Sequence, residues 1–120
     1  MLDSPYRNLR VTREAIEELI LSAARQHAPN KDRRIDDRIP MTAAVEAMPL
    51  TDAMNPTGMK IDMLTRDVSL SGVGLLTPLA ITERYLLLKF PKLEVVTEVI
   101  WRDALGNGGF QRIGARFLLK

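Results

Sequence analysis

After Pro40 the chain is a series of short apolar runs separated by turn residues, with no helical spacing of apolar residues between them. Runs of this length, bounded by Gly, Pro, Asn and Ser, are typical of strands in an all-β domain. The predicted strands lie at 41–48, 60–69, 73–77, 85–90 and 94–102, with one more at the carboxyl end. Residues 106–109, Gly-Asn-Gly-Gly, have the composition of a hairpin turn before that last strand.

The last strand alternates in polarity. Its predicted core residues are Ile113, Ala115, Phe117 and Leu119, and its mostly solvent-facing residues are Arg112, Gly114, Arg116 and Leu118. One apolar face and one solvent-exposed face are typical of strands in an antiparallel sheet. The same alternation favours Trp101 as a residue of the core or of barrel packing, with stacking on a base as the alternative. Short strands without intervening helices therefore predict a closed or nearly closed antiparallel barrel of six strands.

One α-helix is predicted before the barrel, at residues 13–27. An apolar stripe recurs there at helical spacing: Ile16, Leu19, Ile20 and Ala23. Thr12 is a suitable N-cap, and Pro29 ends the helical pattern. The fold class is thus mainly β, and we divide the chain into an N-terminal helical segment, 1–29, and a barrel domain, 30–120, that includes the linker.

Composition excludes several kinds of site. The 120 residues contain no cysteine and one histidine, so thiolate metal sites, cysteine nucleophiles and multi-histidine zinc sites are excluded. No catalytic triad can be assembled, and we expect a non-enzymatic protein without a cofactor. A net charge of +2 and an aromatic content of 5% do not indicate binding to a nucleic-acid polymer. No apolar run approaches the roughly 20 residues of a membrane span and no signal-peptide pattern is present, so we expect a cytoplasmic protein without membrane insertion.

Two short motifs carry the functional signal. Arg34 and Arg38 are four residues apart, so they share a face in a helix or in a strand and can converge on one ligand. Guanidinium groups bind phosphate and also the O6 and N7 acceptors of guanine. Asp67 and Ser69 are expected on one face of a strand, where a carboxylate accepts from the N–H donors of guanine and a hydroxyl binds a polar ligand atom. Gly72 is expected to allow a bend or a positive φ beside a ligand.

Both motifs also have structural explanations. Segment 31–38 carries four basic and three acidic side chains and suits a solvated linker. Asp, Ser and Gly are ordinary turn residues, so segment 67–72 could simply cap a hairpin. Asp36 and Asp37 could pair with the arginines and weaken a site there. Arg112 and Arg116, which share a strand face, either bind phosphate or form part of a solvated face.

In this order, before a run of strands, the two motifs resemble the signature of PilZ domains, bacterial receptors for the second messenger cyclic di-GMP. The resemblance covers residues 30–120 and includes the strand around Val99-Ile100-Trp101 and the closing segment 113–117. It implies a six-stranded barrel with the ligand held between the arginine linker and the Asp-x-Ser-x-x-Gly turn. The implied ligand-binding residues are Arg33, Arg34, Arg38, Asp67, Ser69 and Gly72. An arginine at position 33 also implies stacking on a second base and two stacked ligand molecules.

The expected function is therefore a regulatory receptor that binds cyclic di-GMP, changes conformation and acts on an unidentified protein partner. The alternative is a PilZ-like adaptor that binds only protein. A barrel that binds single-stranded RNA or DNA is a third class, which the low aromatic content disfavours. The apolar stripe of the predicted helix is a candidate surface for a partner or for homo-oligomerisation.

Overall fold

The computed structural model describes residues 10–27, 38–105 and 109–119. Arg33, Arg34 and most of the predicted hairpin turn at 106–109 lie outside these described residues. The elements are helix α1 (Arg13–His27) and strands β1 (Ile39–Pro40), β2 (Ala44–Leu50), β3 (Ile61–Val68), β4 (Gly72–Thr77), β5 (Tyr85–Phe90), β6 (Leu93–Leu105) and β7 (Phe110–Phe117).

Six of the strands form a closed antiparallel barrel. Their order is β3-β2-β5-β6-β7-β4, and β4 pairs back with β3 to complete the circle. The extra strand, β1, continues the line of β2 along the same edge of β3, since Ile39 pairs with Val68 and Ala44 pairs with Leu64. The predicted fold class, a six-stranded antiparallel barrel preceded by one helix, is confirmed.

The interruption between β1 and β2 is caused by the side chain of Thr65. This buried hydroxyl donates to the carbonyl of Met41 at 2.7 Å and accepts from the amide of Ala43 at 2.9 Å. A side chain that hydrogen-bonds to the backbone offers it an alternative to the strand ladder. The strand predicted from residue 41 therefore begins, as β2, only at Ala44.

Helix α1 closes one end of the barrel. Ile16 and Ile20 are completely buried and belong to the same apolar core as the inward-facing residues of the strands. Burying side chains of this size stabilises the fold by about 1.5–3 kcal/mol each. The predicted N-cap is present, because the hydroxyl oxygen of Thr12 accepts from the amide of Ala15 at 3.2 Å. Ile16, Leu19 and Ile20 of the apolar stripe thus pack on the barrel.

A second apolar cluster lies on the outer face of the barrel. Met48, Leu87 and Val96 form one row across β2, β5 and β6, and they are covered by Met54 and by Leu118. Leu119, by contrast, is 37% exposed, so its predicted place in the core is wrong. The reason is that β7 ends at Phe117, and the alternation of the strand stops there.

Gly72 is required by the packing of two strands. It pairs with Arg116 inside the regular β4–β7 ladder, and a Cβ atom at this position would overlap the carbonyl oxygen of Ala115. Positive φ among the described glycines occurs at Gly58 and Gly109, so the expected positive φ at Gly72 is wrong, and the bend lies just before it, at Leu70 and Ser71. What this position needs is the absence of a side chain.

Replacing Gly72 by alanine should destabilise the barrel by about 1–3 kcal/mol, because the new methyl group meets a backbone carbonyl that cannot rotate away. Urea unfolding measures the change. Gly114→Ala is the matched control, since the atoms nearest to its methyl group belong to the exposed side chain of Trp101, and it should cost less. Equal stability of Gly72→Ala and the unmodified chain would contradict this explanation.

Candidate functional site

A bulge in β3 turns Asp67 towards solvent. Ile61, Met63 and Thr65 face the core, so simple alternation would turn Asp67 inward as well. The pairing of β3 with β4 shifts register between Thr65 and Asp67, which leaves Arg66 as the extra residue. Arg66 and Asp67 consequently both face outward. Bulges re-aim side chains in this way and occur often beside functional sites.

A second bulge does the same for Trp101. The register of β6 against β7 shifts between Val99 and Trp101, so Ile100 is the extra residue. Val99 is buried, whereas Trp101 is 43% exposed and pairs with Gly114 on the outer face. The prediction that Trp101 is a core residue is wrong, because the bulge reverses the alternation on which that prediction depended.

Two glycines bring these side chains close together. Asp67, Gly74, Gly114 and Trp101 form one row across four neighbouring strands. A Cβ atom at Gly74 would lie 2.7 Å from Oδ1 of Asp67, and one at Gly114 would overlap the indole of Trp101. The carboxylate and the indole therefore rest on two paired glycines, whose Cα atoms are about 5 Å apart in an antiparallel ladder. The result is a hydrogen-bond acceptor beside an aromatic ring.

Arg38 joins this row directly. Its Nη1 donates to Oδ1 of Asp67 at 2.7 Å, and the amide of Gly74 donates to the same oxygen at 3.2 Å. Within the described chain, Oδ2 of Asp67 receives no hydrogen bond and can accept one from another donor. Both side chains of the ion pair are solvent-accessible, with 48% of Arg38 and 33% of Asp67 exposed. One residue from each sequence motif is thus brought into contact.

Ser69 lies in the turn rather than in the strand. Because β3 ends at Val68, the expected common face of Asp67 and Ser69 is not formed. Ser69 is buried, and its hydroxyl lies 2.9 Å from the hydroxyl of Ser71 and accepts from the amide of Ser71 at 3.3 Å. In this arrangement Ser69 stabilises the turn, and a ligand would reach its hydroxyl only after that side chain rotates.

Further arginines surround the row. Arg112 and Arg116 flank Gly114 on the outer face of β7, where Arg112 donates to Asp103 at 2.5 Å. Arg66 stands beside Asp67 and, together with Arg112, lines a shallow groove of about 440 Å³. The sequence had marked Arg112 and Arg116 as candidates but not Arg66, although regular alternation along β3 already places Arg66 on the outer face.

Arg116 is held in place by a buried carboxylate. Glu98, whose side chain is only 11% exposed, accepts from Nε of Arg84 at 2.7 Å and from Nε of Arg116 at 2.7 Å. The hydrogen bond from Arg84 holds the pKa of Glu98 below its usual value, against the opposite effect of burial, and Arg116 lowers that pKa further. Glu98 therefore stays ionised and fixes Arg116 beside the glycine row.

Comparison of the chain with models of known protein families and with curated proteins found no match. Within the described residues, no cluster of three or more His, Cys, Asp or Glu side chains is arranged to hold a metal ion. In the same part of the chain, no helix has the length and apolarity that a membrane span requires.

Glu98→Gln should lower the free energy of unfolding by about 1–2 kcal/mol at pH 7, because the amide loses the negative charge, keeps one acceptor oxygen and turns its NH₂ donor towards the other guanidinium. A carboxylate with a lowered pKa in the folded state stabilises above its ordinary pKa, and this stabilisation is lost as the pH falls through the lowered value. The difference in stability between the variant and the unmodified chain should therefore become smaller at acid pH, as measured by thermal unfolding across pH. Glu94→Gln, an exposed change on the same strand, is the control. A difference that stays constant with pH would contradict the role of Glu98.

Proposed function

We propose that this chain is a non-enzymatic, PilZ-like receptor for cyclic di-GMP and that binding changes its conformation. The observation that supports this most is the placement of the Asp67 carboxylate beside the Trp101 indole, on paired glycines between two bulges. The contact of Arg38 with the same carboxylate adds a phosphate-binding group at that point.

The chemistry of the row suits guanine. A purine stacked on Trp101 would gain about 1–3 kcal/mol from the aromatic contact. Its N1–H and N2–H₂ donors would then lie near Asp67, whose Oδ2 can accept. Arg38, with Arg33 and Arg34, would bind phosphate oxygens or the O6 and N7 edge, for which a guanidinium fork is well shaped.

Binding of such a ligand must rearrange the Arg38–Asp67 ion pair. Guanine competes for the carboxylate, and phosphate competes for the guanidinium. Arg38 precedes β1, and the chain before it leads back to α1, so a ligand that moves Arg38 acts on the connection between helix and barrel. Differential contacts of this kind are the physical requirement for a ligand-driven conformational change.

The alternative, a PilZ-like adaptor that binds only protein, is favoured by one observation. Asp67 and Ser69 already have partners inside the chain, as they would in a barrel that does not bind nucleotide. Direct titration distinguishes the two proposals, because the adaptor has no reason to bind cyclic di-GMP.

The chain has one tryptophan, so its intrinsic fluorescence reports on the candidate site. Cyclic di-GMP should change the emission of Trp101, and GMP should do so more weakly. Arg34→Ala and Arg38→Ala should each weaken affinity by about ten- to hundredfold, since charge-assisted hydrogen bonds contribute about 1.5–3 kcal/mol each. Arg13→Ala, which removes an exposed arginine from α1, is the control and should bind normally. Absence of both a fluorescence change and a calorimetric signal in the unmodified chain would favour the adaptor.

Asp67→Asn should weaken binding of cyclic di-GMP about tenfold and that of cyclic di-AMP less. The side-chain oxygen of the asparagine can still accept from the backbone N–H of Gly74. Its NH₂ group, however, would face the N–H donors of guanine and leave one of them unpaired. Competition titrations with the two cyclic dinucleotides measure the difference. An equal loss of affinity for both would show that Asp67 does not read the base.

A further inference from the structure

A groove of about 610 Å³ lies between α1 and the turn that joins β5 to β6, away from the candidate nucleotide site. The helix forms one wall and the turn forms the other. Its lining residues are Ala15, Glu18, Leu19, Leu21 and Ser22 on the helix and Phe90, Pro91, Lys92 and Leu93 on the turn. Most of these residues are apolar, and Leu21 is 43% exposed.

The two walls carry opposite charges. Glu18 stands on the helix wall and Lys92 on the turn wall, and both are exposed. Neither takes part in the ion pairs that form among the described residues. A surface complementary to this groove would therefore offer a base opposite Glu18, an acid opposite Lys92 and an apolar group between them.

We propose that the groove is a self-association surface and that its occupant is the same face of a second copy of this chain. In a two-fold interface, each residue of one copy meets its complement on the other. Rotation by 180° places the helix wall of one copy over the turn wall of its partner. Glu18 then meets Lys92 across the interface twice, and Leu21 of each copy enters the opposite groove. The face thus supplies every group that it requires from a partner.

This proposal does not depend on the nucleotide. None of the groove residues belongs to the row of Asp67 and Trp101 or to the arginine motif. Failure of one proposal therefore leaves the other unaffected, and the experiment needs no ligand.

The test is sedimentation of the full chain from micromolar to millimolar concentration. The unmodified chain should show a monomer–dimer equilibrium. Glu18→Lys and Lys92→Glu should each raise the dissociation constant on the order of tenfold or more, because each places like charges together at two points. The double variant should restore the dimer. A mixture of the two single variants should form a heterodimer, since every contact between them is again of opposite charge.

Two control variants localise the effect. Glu14→Lys makes the same charge change on the same helix outside the groove and should dimerise normally. Leu21→Gln should weaken the dimer, whereas Leu79→Gln, which alters an exposed leucine outside the groove, should not. Circular dichroism checks that each variant is folded. An unmodified chain that stays monomeric at millimolar concentration would overturn the proposal. So would single variants that fail to associate when mixed, or a dimer that Glu14→Lys disrupts as strongly as Glu18→Lys.

Discussion

The pairing of β3 with β4 is the contact on which the rest of the structure depends. It closes the barrel, and it contains the bulge that turns Asp67 outward. The turn between the two strands is fixed by the amide of Ser69, which donates to the carbonyl of Gly72 at 2.9 Å, and by the paired hydroxyls of Ser69 and Ser71. The Asp-x-Ser-x-x-Gly motif is therefore first of all the means by which the barrel closes. Of the motif residues Asp67, Ser69 and Gly72, Asp67 is the one whose side chain stays accessible and can take a binding role.

The glycines of the neighbouring β4–β7 ladder also serve two purposes, the close packing of the strands and the shape of the candidate site. Gly72 lets β7 approach β4, whereas Gly74 and Gly114 leave room for a carboxylate and an indole that lie flat on the sheet. The first requirement comes from the backbone and is a condition of folding. The other two come from the side chains of Asp67 and Trp101, and in the proposed receptor they would shape the surface that a ligand meets.

The sequence was sufficient to predict the helix and the strands, but not which face of the sheet each side chain occupies. Helical spacing predicted α1 with its observed ends, and apolar runs bounded by turn residues predicted the six barrel strands, including Tyr85–Phe90 without error. Trp101 was assigned to the wrong face because one extra residue, Ile100, reverses the alternation of side chains between the two faces of β6. A single extra residue leaves no trace in composition or periodicity. The contact between Arg38 and Asp67, which are 29 residues apart in the sequence, follows from the pairing of β1 with β3, and the two motifs alone gave no distance for it.

The arginines around the row are partly neutralised by acids of the same chain. Asp67 pairs with Arg38, Glu98 with Arg116 and Asp103 with Arg112. A free phosphate would have to compete with these carboxylates for each guanidinium. A ligand that also brings donors for the released carboxylate loses less in that exchange, because the acid is not left unpaired. A guanine nucleotide offers phosphate oxygens to the guanidinium and N–H donors to the carboxylate, whereas inorganic phosphate offers only the first. In the proposed receptor, these internal ion pairs would therefore favour a nucleotide over a simple anion.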